Sequence, residues 1–535
     1  MTSLGRSTRL MAMGTVASRG TGFVRTAVIV AALGVGPVAA AYNVANTTPN
    51  IVYELMLGGI LASVIVPLLV RAMKDDPDGG LAYAQRLLTL TALVLGGTAV
   101  VLVVFAPALI DLYAGDLSPE ARELAVVFSR FFLPQLLFYG VGAVLAAILN
   151  ARGSFAAPMF APVLNNLVVI VTGLAFLAVR GAQELRPGGL TDTEILLLGL
   201  GTTLGIIVQT VALVPALRAA GVPLRPRFDL RGTGLRRAGR LAKWMLLYVV
   251  ANQVAYLVVV RLSSDEQLVE AGRGYPSYVY AFILWQLPHA IVAVSVITAL
   301  LPRMSRAAAD DRLNDLRCSL NRGLRLTASV LVPAAVAFMV LGRDLAVVTF
   351  ARGNASVEDA RFIGVLLGVF AVGLVPFSLY QMQLRAFYAM QDTRTPTMIN
   401  LGVNAVLIVT DLLLYTLLPP DLKVIGLAAG HATSFAAGLL LCSLVLSRRL
   451  GGLDGATVVR TVVRCAAAVA LPAVVAGLVA AALTRELGDG PLGSAAALVG
   501  GGSALLVGYV LIARRLRVRE IDDVAGPVLR RLGLR

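Results

Sequence analysis

The sequence predicts an all-α polytopic membrane protein. Fourteen transmembrane helices form two six-helix lobes related by an internal repeat, plus two C-terminal helices. Three observations carry this prediction. The 535 residues are 58% hydrophobic and only 14% charged, with a mean hydropathy of +0.83, whereas soluble domains run at about 45–50% apolar and about 25% charged. A soluble surface could not be built from that composition, and disorder is excluded by it as well. Apolar stretches of spanning length recur along the whole chain, and positive charge alternates between the connections that join them.

A spanning helix needs about 20 mainly apolar residues. Fourteen segments qualify: 12–33, 40–70, 84–109, 121–149, 156–179, 193–217, 241–262, 274–301, 319–342, 360–388, 396–418, 424–447, 458–483 and 492–513. The second is too long for a straight crossing and holds Pro49 and Gly58-Gly59, so it reads as one bent span. The basic start MTSLGRSTRL leads into a full-length helix and so reads as the first span, with no cleavable signal. An even number of spans puts both termini on one side. Lys and Arg then number 32 on that side and 9 on the other, with five left within spans. The positive-inside rule makes both termini cytoplasmic in a plasma (cytoplasmic) membrane protein. A miscounted helix would scramble this alternation.

The net charge of +16 therefore needs no nucleic acid to explain it. Arg225, Arg227, Arg231, Arg236, Arg237 and Arg240 share the longest inside connection, and Arg514, Arg515, Arg517 and Arg519 lie in the C-terminal tail. Basic segments in those places are expected to contact anionic lipids. Three scattered cysteines (Cys318, Cys442, Cys465) and two histidines offer no metal-ligand spacing. No phosphate loop, HExxH or GxSxG occurs. The expectation is a transporter rather than an enzyme, with no cofactor, driven by a gradient, a membrane potential or a product sink.

The repeat is visible at a shift of 238 residues. ILNARGSFAAPMFAPVLNN (148–166) and AFYAMQDTRTPTMINLGVN (386–404) then bring Ala151 onto Ala389, Pro158 onto Pro396 and Asn166 onto Asn404. Nearly the same shift links Pro49 to Pro288 and Pro67 to Pro302. The expected organisation is a first lobe over 1–235, a second over 236–450, two appended spans over 451–513 and a basic tail over 514–535. Repeats of this kind place the substrate site between the lobes, near mid-membrane.

Charged or polar groups within a span are expensive and are functional candidates. Arg19 and Arg25 lie on span 1 with no acid on the same helix. Span 2 carries Asn43, Asn46, Thr47, Asn50 and Glu54 at i, i+3, i+4, i+7 and i+11, one helical stripe. Such a stripe faces other helices or water, with interhelical bonding as the alternative reading. Span 8 has Tyr278, Trp285, Gln286 and His289 on roughly one face, the aromatics being open to an interface-anchor reading. On span 11, Asp411 suggests cation or proton coupling, with Asn404, Thr433 and His431 as possible partners.

SRGTGFVRT (18–26), ANTTPN with GGILASVIVPLL (45–69), AILNARGSFAAPMFAPVLNN (147–166), LPHAIVAVSVITALLPRMSR (287–306) and FYAMQDTRTP (387–396) resemble segments of the MurJ/MviN family, lipid II flippases of peptidoglycan synthesis. The form of span 2 is similar to the actinobacterial branch. The resemblance implies two lobes around a cationic cavity, with spans 13 and 14 forming a groove for the undecaprenyl tail. Alternating access would carry the disaccharide-pentapeptide head of lipid II outward. Arg19 and Arg25 match the family's span-1 arginines, whose planar guanidinium groups suit a diphosphate. The family's charged positions on spans 2 and 8 fall here on Ala40, Tyr53 and Ile283, and Gln286 stands where an acid is common. Relatives' sodium sites make Asn404, Asp411 and Thr433 candidates for a coupling ion, Na+ or H+. Cell-wall synthesis proteins are expected partners. A flippase for another polyprenyl-diphosphate glycan, a cationic-drug antiporter and a non-transporting scaffold for cell-wall synthesis are the alternatives. Two arginines against Glu54 in the first lobe weigh against a cationic substrate.

Overall fold

The computed structural model describes residues 3–58, 66–181, 185–229 and 235–521. Among them there are helices and connections but no strand. Twelve described helices are long and apolar enough to cross a membrane. A thirteenth span is a pair bent by 47°, Val357–Val372 and Leu374–Ala389. All thirteen coincide with segments read from hydropathy. The remaining one, 40–70, runs through residues 59–65, outside the described residues.

Two compact units divide the chain, Met1–Tyr275 and Pro276–Arg535. The repeat in the sequence draws its boundary at residue 235. The compact units divide later because α11 (Leu235–Ser263) packs on α5 (Ala106–Ala114).

In the first unit α1 (Ser3–Leu33) lies along α8 (Ala156–Arg180), which packs on α9 (Asp192–Val211). Helix α2 (Pro37–Tyr53) packs on α6 (Pro119–Phe132) and α7 (Gln135–Ala151). Proline in the first turn starts α2 and α6, where its missing N–H costs nothing. A capping box of Thr191 and Glu194 starts α9. The same Glu194 receives Arg180 Nη1 at 3.1 Å, with both side chains almost fully buried, so the end of α8 is tied to the start of α9.

In the second unit α15 (Leu313–Phe350) is the central contact. It packs against α14 (Val294–Ala309), α16 (Val357–Val372), α17 (Leu374–Ala389), α20 (Gly455–Leu487) and α21 (Pro491–Arg515). Helix α18 (Arg394–Leu417) pairs with α19 (Pro420–Arg449). Large apolar side chains such as Val100, Val171, Leu478 and Val499 are more than 60% exposed, which suits surfaces solvated by acyl chains.

The repeat is written into the backbone as well as the sequence. Gly34 and Gly272, separated by 238 residues, both adopt a left-handed conformation (φ 65° and 68°). Gly153 and Gln391, at the same separation, do so too (φ 77° and 58°). Glycine enters that region freely, while glutamine is strained there. Two π-helical segments, Glu54–Gly58 after α2 and His289–Ala293 after α13 (Tyr275–Pro288), interrupt the corresponding spans.

The turn after α17 shows what FYAMQDTRTP does. Asp392 Oδ1 accepts the N–H groups of Arg394 and Thr395, both at 3.0 Å, while Oδ2 accepts the Thr395 hydroxyl at 2.7 Å and Arg449 from the end of α19. Burial would raise this carboxyl, but the Thr395 and Arg449 hydrogen bonds outweigh it and hold it below its usual range. The corresponding turn in the first unit is tied differently. Arg152 donates to the carbonyls of Ala220 (3.0 Å) and Gly79 (3.3 Å).

Candidate functional site

Helix α1 positions the two candidate arginines, and a side chain on α8 positions α1. Asn166 Nδ2 donates to Ser18 O (3.1 Å) and Thr21 Oγ1 (3.0 Å), joining two motifs that lie 148 residues apart. Gly173 lets α8 approach Val28 so closely that a Cβ would sit 2.7 Å from Val28 Cγ1. On the helix so held, Arg19 is exposed and Arg25 is half-buried.

Helix α2 has two faces. Val44, Ala45, Thr48, Pro49 and Ile51 are buried, while Asn43, Asn46 and Thr47 are half-buried and Asn50 and Glu54 exposed. The predicted polar stripe is thus the accessible face. Its amides also brace their own helix, Asn43 donating to Ala39 O (2.8 Å) and Asn50 to Asn46 O (3.2 Å). Thr47 Oγ1 lies 3.0 Å from Tyr275 OH, which lies 2.7 Å from Tyr256 OH. Ala40 is fully buried against the packed side. Tyr53 stands with its ring 5.9 Å from that of Tyr139.

Arg25 and the stripe meet around Tyr139 of α7. Asn50 and Arg25 are both near enough to act electrostatically on Tyr139, and Arg25 acts on Tyr42 as well. Tyr139 also donates to Gln135 Oε1 (3.3 Å), and Gln135 in turn to Thr203 (2.9 Å). Tyr42 is pinned by Thr202 (2.8 Å) and edge-on to Phe128 and Phe132. One guanidinium, one amide and two phenols therefore converge within the first unit. Of these groups only the guanidinium is purely a donor, and it gives the set its affinity for an anion.

In the second unit the span-8 residues separate. Tyr278 and Trp285 are core residues, 2% and 1% exposed, while Gln286 is exposed and His289 half-buried. Tyr278 OH meets His431 Nδ1 at 2.8 Å, and His289 Nδ1 meets Ser378 Oγ at 2.9 Å. Phe377 and Phe435, ring centroids 4.6 Å apart, join both histidines in one aromatic cluster. Ile283 is half-buried. On α18, Asn404 is 8% exposed and Asp411 fully buried. Neither Asp411 carboxyl oxygen has a hydrogen-bond partner among the described residues. The acid abuts Gly430 of α19, where a Cβ would run into its Oδ1. Thr433 is exposed and donates to Ala429 O of its own helix (2.9 Å), so it is not drawn toward Asp411.

No local pattern in the sequence marks Tyr139, Tyr256, Tyr275 or Ser378 as site neighbours. Asn166 alone carried a signal, as half of the repeat pair with Asn404.

A family model described as lipid II flippase MurJ matches residues 29–494. The chain is 30% identical to the lipid II flippase MurJ of Burkholderia cenocepacia over 441 residues, 81% of each chain. It is 29% identical to the probable lipid II flippase MurJ of Rhizobium meliloti over 458 residues, 82% of this chain and 80% of that one. Its fold is similar to a solved lipid II flippase MurJ in an inward closed conformation, with TM-score 0.75 and 19% identity over 95% of this chain and 99% of the other. An inward-facing multidrug resistance transporter of the MATE family is also similar in fold, with TM-score 0.66 and 16% identity over 81% and 94%. With most of its length matched by the family model and a 30% identical relative covered over four-fifths, the chain belongs to the lipid II flippase MurJ family.

Proposed function

We propose that this multi-span membrane protein transfers lipid II from the cytoplasmic to the outer leaflet by alternating access of its two lobes. The convergence of Arg25, Asn50 and Tyr139 in a membrane-embedded unit is the observation that carries the reading. A guanidinium in that position is expensive unless it is hydrated, paired or engaged by an anion. Lipid II presents a diphosphate, which paired N–H donors match in charge and geometry. Arg25 grips that diphosphate, with Arg19 at the exposed approach. Asn43, Asn46, Thr47, Asn50 and Glu54 line the route of the sugar-peptide head, joined by Gln286 and His289 from span 8. Helices α20 and α21, spans 13 and 14, form the groove for the undecaprenyl tail.

Both termini lie in the cytoplasm, and the basic connection and tail rest on anionic lipids and offer contacts to cell-wall synthesis proteins. Inward Na+ or H+ movement drives the cycle through Asp411 and Asn404, with Thr433, bonded to its own helix, left outside the coupling pair. Asp411 supports this by its full burial without a partner among the described residues.

The experiment is replacement of Arg25 by Ala in a flippase-depleted strain, with protein level and outer-face accessibility of lipid II both measured. Loss of growth and of outer-face lipid II at normal protein level is expected. Normal growth with normal outer-face lipid II would discard the role.

A further inference from the structure

Helix α11 carries polar groups at helical spacing. Tyr248, Asn252 and Tyr256 stand at i, i+4 and i+8, and all three are half-buried. Two phenols and an amide at that spacing fit a core, an interface or a wet cleft alike, and the neighbours decide between them. Leu246, Val250 and Val254, each two residues before one of the three and so about 200° around the helix, are exposed. That apolar face suits acyl chains, so the polar stripe looks into the protein.

The stripe faces the accessible side of α2. At one level the two helices are joined through Tyr275, whose hydroxyl lies 3.0 Å from Thr47 Oγ1 and 2.7 Å from Tyr256 OH. Further along, α11 packs on the π-helical segment that begins at Glu54. Spans 2 and 7 run in opposite directions, so residues after Thr47 on α2 descend together with residues before Tyr256 on α11. Asn50 and Asn252 lie about 4–6 Å below the junction, and Glu54 and Tyr248 about 10–12 Å below it. The junction is closed by hydrogen bonds, whereas Asn50 and Glu54 below it are exposed. The result is a cleft sealed at Thr47, Tyr275 and Tyr256 and open beneath them, all within the first unit.

The two lower levels differ chemically from Arg25. Amide, carboxylate and phenol together supply donors and acceptors, as sugar hydroxyl groups require, whereas a guanidinium only donates. Arg25 and Asn50 both neighbour Tyr139, which brings the guanidinium to the level of Asn50 and Asn252. In the carried head the saccharide is bonded directly to the diphosphate, so it comes next to whatever Arg25 holds.

We propose that Asn252 and Tyr248 recognise the saccharide of the carried head, hydrogen-bonding its hydroxyl groups across the cleft from Asn50 and Glu54. This rests on the flippase reading and adds to it a second wall of the route.

The test uses the full chain in nanodiscs and two ligands, lipid II and undecaprenyl diphosphate, which shares its tail and diphosphate and lacks its sugars. Tyr248→Phe and Asn252→Leu should each raise the Kd for lipid II about fivefold, as loss of one net hydrogen bond allows. The Kd for undecaprenyl diphosphate should stay unchanged, which also shows that each variant is folded. Arg25→Ala should weaken both ligands and so reads the flippase proposal separately. On the unaltered protein, lipid II bearing a diazirine on its saccharide should label peptides of α11, and excess unlabelled lipid II should abolish that labelling. Equal weakening of both ligands by the two α11 variants, an unchanged lipid II Kd in both, or labelling that spares α11 would overturn the assignment. Weakening of both ligands by Arg25→Ala would leave the flippase reading standing in each of those cases.

Discussion

Asn165 and Asn166 are neighbours in sequence and almost equally buried (7% and 6% exposed), yet their replacement should have different consequences. Asn166 Nδ2 makes two bonds to α1, and Asn166→Ala removes both. Side-chain bonds between membrane helices average about 0.6 kcal/mol and reach about 1.7. Their loss therefore weakens the attachment of α1 by about 1–3 kcal/mol. Asn165 Oδ1, by contrast, faces Gly205 and has no hydrogen-bond partner among the described residues. Asn165→Ala removes an acceptor whose unpaired burial costs about 1–3 kcal/mol, which offsets the packing lost with it. It should leave stability within about 1 kcal/mol of the parent. Thermal unfolding in detergent, followed by fluorescence-detected size exclusion, reads the difference. At about 2 °C or less per kcal/mol for a unit that runs from Met1 to Tyr275, Asn166→Ala should lower the midpoint by about 2–5 °C and Asn165→Ala by far less. Because α1 carries Arg19 and Arg25, Asn166→Ala should also reduce complementation of a flippase-depleted strain. Equal melting losses in the two variants, or an unchanged midpoint in Asn166→Ala, would refute the reasoning.

Gly364→Ala should destabilise the second unit by about 1–3 kcal/mol, because its Cβ would lie 2.6 Å from Gly342 O on the backbone of α15. A midpoint within a degree of the parent would contradict that close crossing. Asp392 is held below the usual aspartate range by its hydrogen bonds to Thr395 and Arg449, so its contribution is present above about pH 4. It should fall away as pH drops through the depressed folded value. Acid titration of the melting midpoint should show a decline below about pH 4 that Asp392→Asn lacks. Paired substitutions test the repeated turns. Gly153→Ala should cost about 1–2 kcal/mol, since an L residue is strained at φ 77°. Gln391→Gly should cost nothing, because the strain is already present at φ 58°. Similar melting losses from both would argue against the shared conformation.

Much of the candidate site was legible because helical period and hydropathy are local properties. Asn43, Asn46, Thr47, Asn50 and Glu54 occupy the accessible face of α2, as their spacing requires. Trp285 and Tyr278 show where such reasoning stops. Aromatics on an apolar helix fit an interface belt and a core equally well, and here Phe370 and His431 enclose Tyr278 in the core. Asp411 carried no sequence signal of its surroundings, since its setting depends on Gly430 in the next helix.

Composition, span positions and the 238-residue repeat followed from the chain alone, because insertion into hydrocarbon is decided within about 20 consecutive residues. The family segments and the identity of the candidate arginines were likewise readable there. Only tertiary structure decided that Arg25 shares its surroundings with Asn50 and Tyr139 while Arg19 stays exposed. The same is true of the bond from Asn166 to α1 and of the aromatic cluster around both histidines. These contacts join residues tens to hundreds of positions apart, and helix packing rather than any local pattern selects which of them meet.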